Sequence, residues 1–144
     1  MKTPYLKSFL VFSISLTTLV GCSEEEDLTA FDNLTANEWI LVSAERRTST
    51  GNSPEPVNPC RLDNVFRYEA DGTFKILVGT NLCQAGETGL IGTWQLTSND
   101  TKIAINFPGV GSYEDNIESI AAGELKLKFD VSGYSVIERY IPVP

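Results

Sequence analysis

The segment Cys60-Arg-Leu-Asp-Asn-Val-Phe-Arg-Tyr-Glu-Ala-Asp-Gly-Thr-Phe-Lys-Ile-Leu-Val-Gly-Thr-Asn-Leu-Cys83 decides the fold. Two runs that alternate apolar and polar residues, 65–70 and 73–78, flank Asp71-Gly72, and an Asp-Gly pair between alternating runs marks a β-hairpin. Two registers compete. A two-residue loop would set Phe66 opposite Leu77 and Tyr68 opposite Lys75, which puts a lysine on the aromatic face. A type I turn with Gly72 in the left-handed region as a bulge sets Tyr68 opposite Phe74 and Phe66 opposite Ile76, with Arg67, Glu69, Lys75 and Leu77 on the other face. The second register keeps one face apolar and is the one expected.

The same alternation extends in both directions. Upstream, 39–47 reads as a first strand with Trp39, Leu41 and Ser43 on one face and Ile40, Val42 and Ala44 on the other. Residues 48–59 carry Gly51, Pro54, Pro56 and Pro59 among Ser, Thr and Asn, which predicts a long loop, a lid or rim. Downstream, 90–97 places Gly92, Trp94 and Leu96 on one face, and 102–107 places Ile103, Ile105 and Phe107 inward. Segment 113–120 changes parity between Ile117 and Ile120, which calls for a bulge or a helical turn. Leu125, Leu127 and Phe129 then alternate with Lys126, Lys128 and Asp130, and 134–141 closes the pattern. About eight short strands joined by tight turns, with no convincing amphipathic helix, predict an all-β, up-and-down antiparallel barrel, which removes its own edges. A two-sheet sandwich fits the alternation nearly as well.

The N-terminus sets the expected location. Lys2 and Lys7 precede an apolar stretch, 9–20, of the length of a signal-peptide core, too short to span a bilayer comfortably. Leu19-Val20-Gly21-Cys22 resembles a bacterial lipobox, which implies removal of 1–21 and lipidation of Cys22. Several acyl chains on one residue would hold the protein stably to a membrane. What remains is 123 residues, one domain by length, and without Lys2 and Lys7 the formal charge of −8 becomes −10. So acidic a surface repels phosphate backbones and argues against nucleic acid as a partner. Ser23-Glu24-Glu25-Glu26-Asp27 reads as a solvated spacer and also resembles the acidic export signal of surface lipoproteins in Bacteroidota. The expected organisation is a signal peptide at 1–21, a lipidated acidic tether at 22–33 and a barrel at 34–144, displayed at the outer membrane. With Cys22 lipidated, Cys60 and Cys83 remain as an even pair, expected to form a disulfide in an exported chain. Two thiols in a chain without histidine make a poor zinc site.

Leu34-Thr35-Ala36-Asn37-Glu38-Trp39, Cys60-Arg61-Leu62-Asp63-Asn64, Asp71-Gly72-Thr73-Phe74, Cys83 and Gly92-Thr93-Trp94 together resemble the small lipocalin-like domains found as lipoproteins in Bacteroidota. The resemblance runs from Leu34 to the C-terminus and implies a calycin-like barrel. Larger lipocalins open with Gly-x-Trp, where this chain has Asn37.

Chemistry-bearing motifs are sparse. No histidine means no common general base and no histidine-containing triad, and no Gly-x-Ser-x-Gly elbow occurs. No catalytic residue, cofactor or metal is therefore expected. Asp63 and Asn64 read as Asx turn residues, and Glu114, Asp115 and Glu118 as a solvated acidic face. Trp39, Phe66, Tyr68, Phe74, Ile76, Trp94, Phe107 and Phe129 are the candidate interior lining, either filling the barrel or surrounding a small hydrophobic ligand. Two functions follow: a membrane-anchored module that binds a small apolar or amphipathic molecule, or a filled barrel that contacts another envelope protein.

Overall fold

The computed structural model describes residues 28–144; the expected signal peptide, Cys22 and the acidic tract through Asp27 lie outside them. The described residues form one short α-helix, a 3-10 turn at Pro59–Arg61 and nine strands. The helix and strands are α1 (Ala30–Ala36), β1 (Glu38–Thr48), β2 (Gly51–Glu55), β3 (Val65–Tyr68), β4 (Thr73–Leu77), β5 (Leu90–Thr97), β6 (Lys102–Phe107), β7 (Gly111–Ala121), β8 (Glu124–Val131) and β9 (Tyr134–Pro142). From β3 to β9 each strand pairs antiparallel with the next, and β1 pairs with both β3 and β9. The sheet is thus a closed eight-stranded up-and-down barrel, with β2 as an extra strand, and not a sandwich.

The hairpin adopts the bulged register. Tyr68 pairs with Phe74, Phe66 with Ile76 and Arg67 with Lys75, and Gly72 sits at φ 85°, where a Cβ would be strained. The Glu69 carbonyl accepts from the Gly72 amide at 3.0 Å, closing the turn. The Gly72 carbonyl accepts from the Trp94 amide at 2.8 Å, so the turn also anchors the next strand. Cys60 and Cys83 are bridged, with 5.1 Å between Cα atoms. On the loop-entropy argument this crosslink stabilises the fold by about 3 kcal/mol.

Two expectations for the first strand change. Residues 48–59 do not form a lid: 51–55 fold back as β2, pairing Ala44 with Glu55 through Thr48 with Gly51. β3 covers the flank of β1 only at residues 38–40, so the later half of β1 offers free backbone groups that β2 satisfies. Pro54 is tolerated because the strand is an outer edge. Strict alternation along β1 also fails, since a bulge between Leu41 and Ser43 turns Ala44 inward with Trp39 and Leu41 and leaves Ser43 exposed. The parity change in β7 resolves the same way, with a register shift between Ile117 and Ser119.

The core runs along the barrel axis, from Leu34, Trp39, Leu41 and Leu125 through Ile103, Ile105 and Phe74, all at most 2% exposed. Gly92 makes room for it. A Cβ there would meet the Phe107 ring at 2.7 Å and the Asn106 carbonyl, so a side chain at 92 would displace Phe107 from Phe74, its ring neighbour at 5.7 Å.

Candidate functional site

The two ends of the barrel are built differently. At the end holding the start of β1 and the β3–β4 turn, α1 lies across the opening. Its start is fixed by a capping box, the Thr29 hydroxyl accepting from the Asp32 amide and the Asp32 carboxylate from the Thr29 amide, both at 3.1 Å; this satisfies otherwise orphaned N–H groups. Leu34 is fully buried, and its carbonyl accepts from the Trp39 indole at 3.2 Å. Phe31 stacks on Trp94 at 5.6 Å, while the Trp94 indole donates to the Glu69 carbonyl at 2.9 Å. Both indole donors are satisfied, as burial demands. The helix spans the boundary expected at Leu34 and was underestimated from sequence, because seven residues are too few to show a helical period.

At the opposite end the strands surround a cavity of ≈ 580 Å³. Much of its lining is apolar, from Phe66, Phe74, Ile76, Ile105, Leu127 and Phe129. Val78, Leu90 and the disulfide at Cys83 border the mouth. Asp63 and Asn64 shape that border. One Asp63 oxygen accepts from the Thr80 amide at 2.8 Å, the Asn81 amide at 2.9 Å and the Thr80 hydroxyl at 3.1 Å, and Asn64 accepts from the Gly79 amide at 3.0 Å. The Asx role is therefore a strap across the hairpin to 79–81 and not a local turn. These hydrogen bonds hold the Asp63 carboxyl below its usual range, the Asn81 amide contributing most. No cluster of potential metal ligands occurs among the described residues.

Of the expected lining, Phe66, Tyr68, Phe74, Ile76 and Phe129 border the cavity. Trp39, Trp94 and Phe107 do not; they pack beyond it as solid core, the two tryptophans beneath α1. The sequence reading missed a polar group set into one wall. Arg61 reaches over from the turn after Pro59 and forms a two-pronged ion pair with Glu138, at 2.8 and 3.1 Å. Glu138 also accepts from the Tyr140 hydroxyl at 2.6 Å. Only 8% of the Glu138 side chain is exposed, so its charge is tolerated because three donors surround it. Burial, reinforced by Glu138, pushes the Tyr140 hydroxyl well above its usual range.

Asp115 corrects the expected solvated face. On β7, Glu114 bonds Lys102 at 2.7 Å and Thr97 at 3.0 Å, and Glu118 pairs with Arg47 at 2.7 Å, both on the outer surface. Asp115 points the other way and lines the cavity. Burial raises its carboxyl to about 6, Glu138 raising it further and Arg61 opposing. A pattern signal existed: Tyr113, Asp115 and Ile117 share one parity, as do Val136, Glu138 and Tyr140, so each acid stands at an inward position. Arg61 gave no such signal, lying outside any strand.

Among the described residues these features define a closed antiparallel barrel, plugged at one end and holding a ligand-sized cavity at the other. No protein-family model and no curated protein matches the sequence. Among solved structures, the chain is similar to a lipocalin-like protein from Bacteroides uniformis ATCC 8492, with a TM-score of 0.49 and 18% identity over 74% of this chain and 97% of that one. It is also similar to an uncharacterized protein from Bacteroides eggerthii DSM 20697, with a TM-score of 0.45 and 14% identity over 72% of this chain and 96% of that one.

Proposed function

We propose that this chain is an outer-membrane-anchored, lipocalin-like lipoprotein whose barrel binds a small apolar or amphipathic molecule, without catalysis, and that it is held at the cell surface through Cys22. The cavity carries the reading: ≈ 580 Å³ lies within the range of small-molecule sites, which are apolar with a few placed polar groups. A filled barrel acting only through its outer surface has no use for such a space.

The test uses two tryptophan substitutions on adjacent residues of β5. Leu90 borders the cavity mouth, whereas Ile91 is 67% exposed on the outside. An apolar dye that brightens out of water should bind the wild type and Ile91→Trp alike. Leu90→Trp should weaken it by about tenfold, the loss expected from blocking one well-packed contact region. Equal binding by all three would place the dye elsewhere and remove the basis for the proposal. For the anchor, mass spectrometry of protein from intact envelope should show acyl chains on Cys22 as the first residue.

A further inference from the structure

Resting on that reading, we propose that the cavity selects amphipathic cations, an alkyl chain filling the apolar floor and a primary ammonium group meeting the Asp115 carboxylate and the Tyr68 hydroxyl. Three independent features point to a cationic head. The first is unmet hydrogen-bonding capacity. Tyr68 is 3% exposed and borders the cavity, yet among the described residues no group hydrogen-bonds its hydroxyl. Asp115 is likewise without a hydrogen bond or ion pair among the described residues. Glu138, by contrast, is already engaged by Arg61 and Tyr140. Both polar groups face the cavity, where a ligand can supply the missing partner, and an ammonium supplies three donors.

The second is charge. The carboxylates that face the cavity are Glu87, Asp115 and Glu138, against the guanidinium of Arg61; the Glu114 carboxylate is turned outward onto Lys102. Arg61 is spent on Glu138, which leaves no free cation among the described residues bordering the cavity to hold an anionic head such as a fatty acid carboxylate. The chain as a whole adds a formal −8, which draws cations toward the mouth. The third is the wall. The Phe66 ring stands edge-on to Tyr140 at 5.2 Å, and Tyr68 packs beside Phe74 at 4.7 Å. All four rings border the cavity, and an aromatic lining can stabilise a desolvated cation where an aliphatic one would not.

Protonation sharpens the proposal. The charged and titratable groups that face Asp115 are Arg61 before β3, Tyr68 on β3, Tyr113 on β7 and Glu138 on β9; its β6 neighbour, Ile103, is apolar. Since the Asp115 carboxyl ionises near 6, ammonium binding should strengthen as pH rises from 5 to 7, while a neutral ligand should not respond.

Calorimetry with decylammonium, decanol and decanoate, each below its micelle concentration, tests this on the wild type, because the three share one chain and differ only in the head. Decylammonium should bind about tenfold or more tighter than decanol, the difference a charge-assisted hydrogen bond makes, and decanoate weakest. Asp115→Asn should abolish both the ammonium advantage and its pH dependence while leaving decanol unchanged. Equal affinity for all three, or preference for decanoate, would overturn the cation assignment and leave the apolar cavity standing. Binding of none would overturn both readings.

Discussion

The two ends of this barrel solve opposite problems with similar residues. At the plugged end, Trp39 and Trp94 are buried and their indoles donate to the carbonyls of Leu34 and Glu69, so aromatic mass becomes solid core. At the open end, Phe66, Tyr68 and Phe74 are just as buried but face a space of ≈ 580 Å³. What separates them is whether a further element covers the opening. α1 brings Leu34 and Phe31 onto the plugged end, whereas the open end is edged, among the described residues, by the disulfide, the Asp63 strap and side chains such as Val78 and Leu90. Stability should therefore concentrate at one end and selectivity at the other.

The largest effect should come from the plugged end. Trp39→Ala removes a side chain with no exposure and one indole hydrogen bond, and should cost about 3–5 kcal/mol, read as a drop in the urea midpoint. If it instead lowered ligand affinity while sparing the midpoint, the division between ends would fail. Next is the open end's staple. Replacing Cys60 and Cys83 together by alanine should cost about 3 kcal/mol. Because the bridge borders the cavity, dye affinity should fall as well, even at temperatures where the variant is fully folded. An unchanged affinity would mean that the strap from Asp63 to Thr80 and Asn81 fixes the mouth alone.

Sequence reading reached the open end's apolar wall and not its chemistry. The Asp71-Gly72 turn carried enough information to pair Tyr68 with Phe74 and Phe66 with Ile76, because a lysine among aromatics penalises the rival register. The pair Cys60 and Cys83 followed from the cysteine count. What failed depended on tertiary context. β2 forms because β3 is too short to cover β1, which no local pattern in 48–59 reveals. Trp39, Trp94 and Phe107 look like cavity lining until α1 and Gly92 are placed in space. Arg61, Glu138 and Asp115 meet from three distant segments. The two acids do occupy inward parity, and a charge at an inward position of a strand deserved more weight than a solvated face.

Asp115 gives a third, smaller contrast, visible as a pH dependence. In the unfolded chain its carboxyl ionises near 3.8, and in the barrel near 6. The folded state thus holds the proton more tightly, and the associated stability is fully present below 3.8 and lost as pH rises through 6. At pH 7, Asp115→Asn should therefore stabilise the barrel by about 1 kcal/mol after allowance for solvent screening, with no gain at pH 3. Denaturant melts at the two pH values read the difference directly. A gain of equal size at both would trace to packing and not to the charge.

The smallest effect tests whether the ends are independent. Thr29→Ala removes the hydroxyl that accepts from the Asp32 amide, and an N-cap of this kind contributes about 1 kcal/mol. Leu34 and Phe31 tie α1 to the core, so weakening its first turn should loosen the plug without unfolding the strands. Hydrogen exchange should quicken at residues 30–34 while the amides of β3 and β4 keep their protection. The residues bordering the cavity include none from α1, so dye affinity should be unchanged. A matching loss of affinity would show that the plug sets the shape of the cavity floor through Trp94 and its neighbour Tyr68, whose rings meet at 5.3 Å; the two ends would then be one mechanical unit.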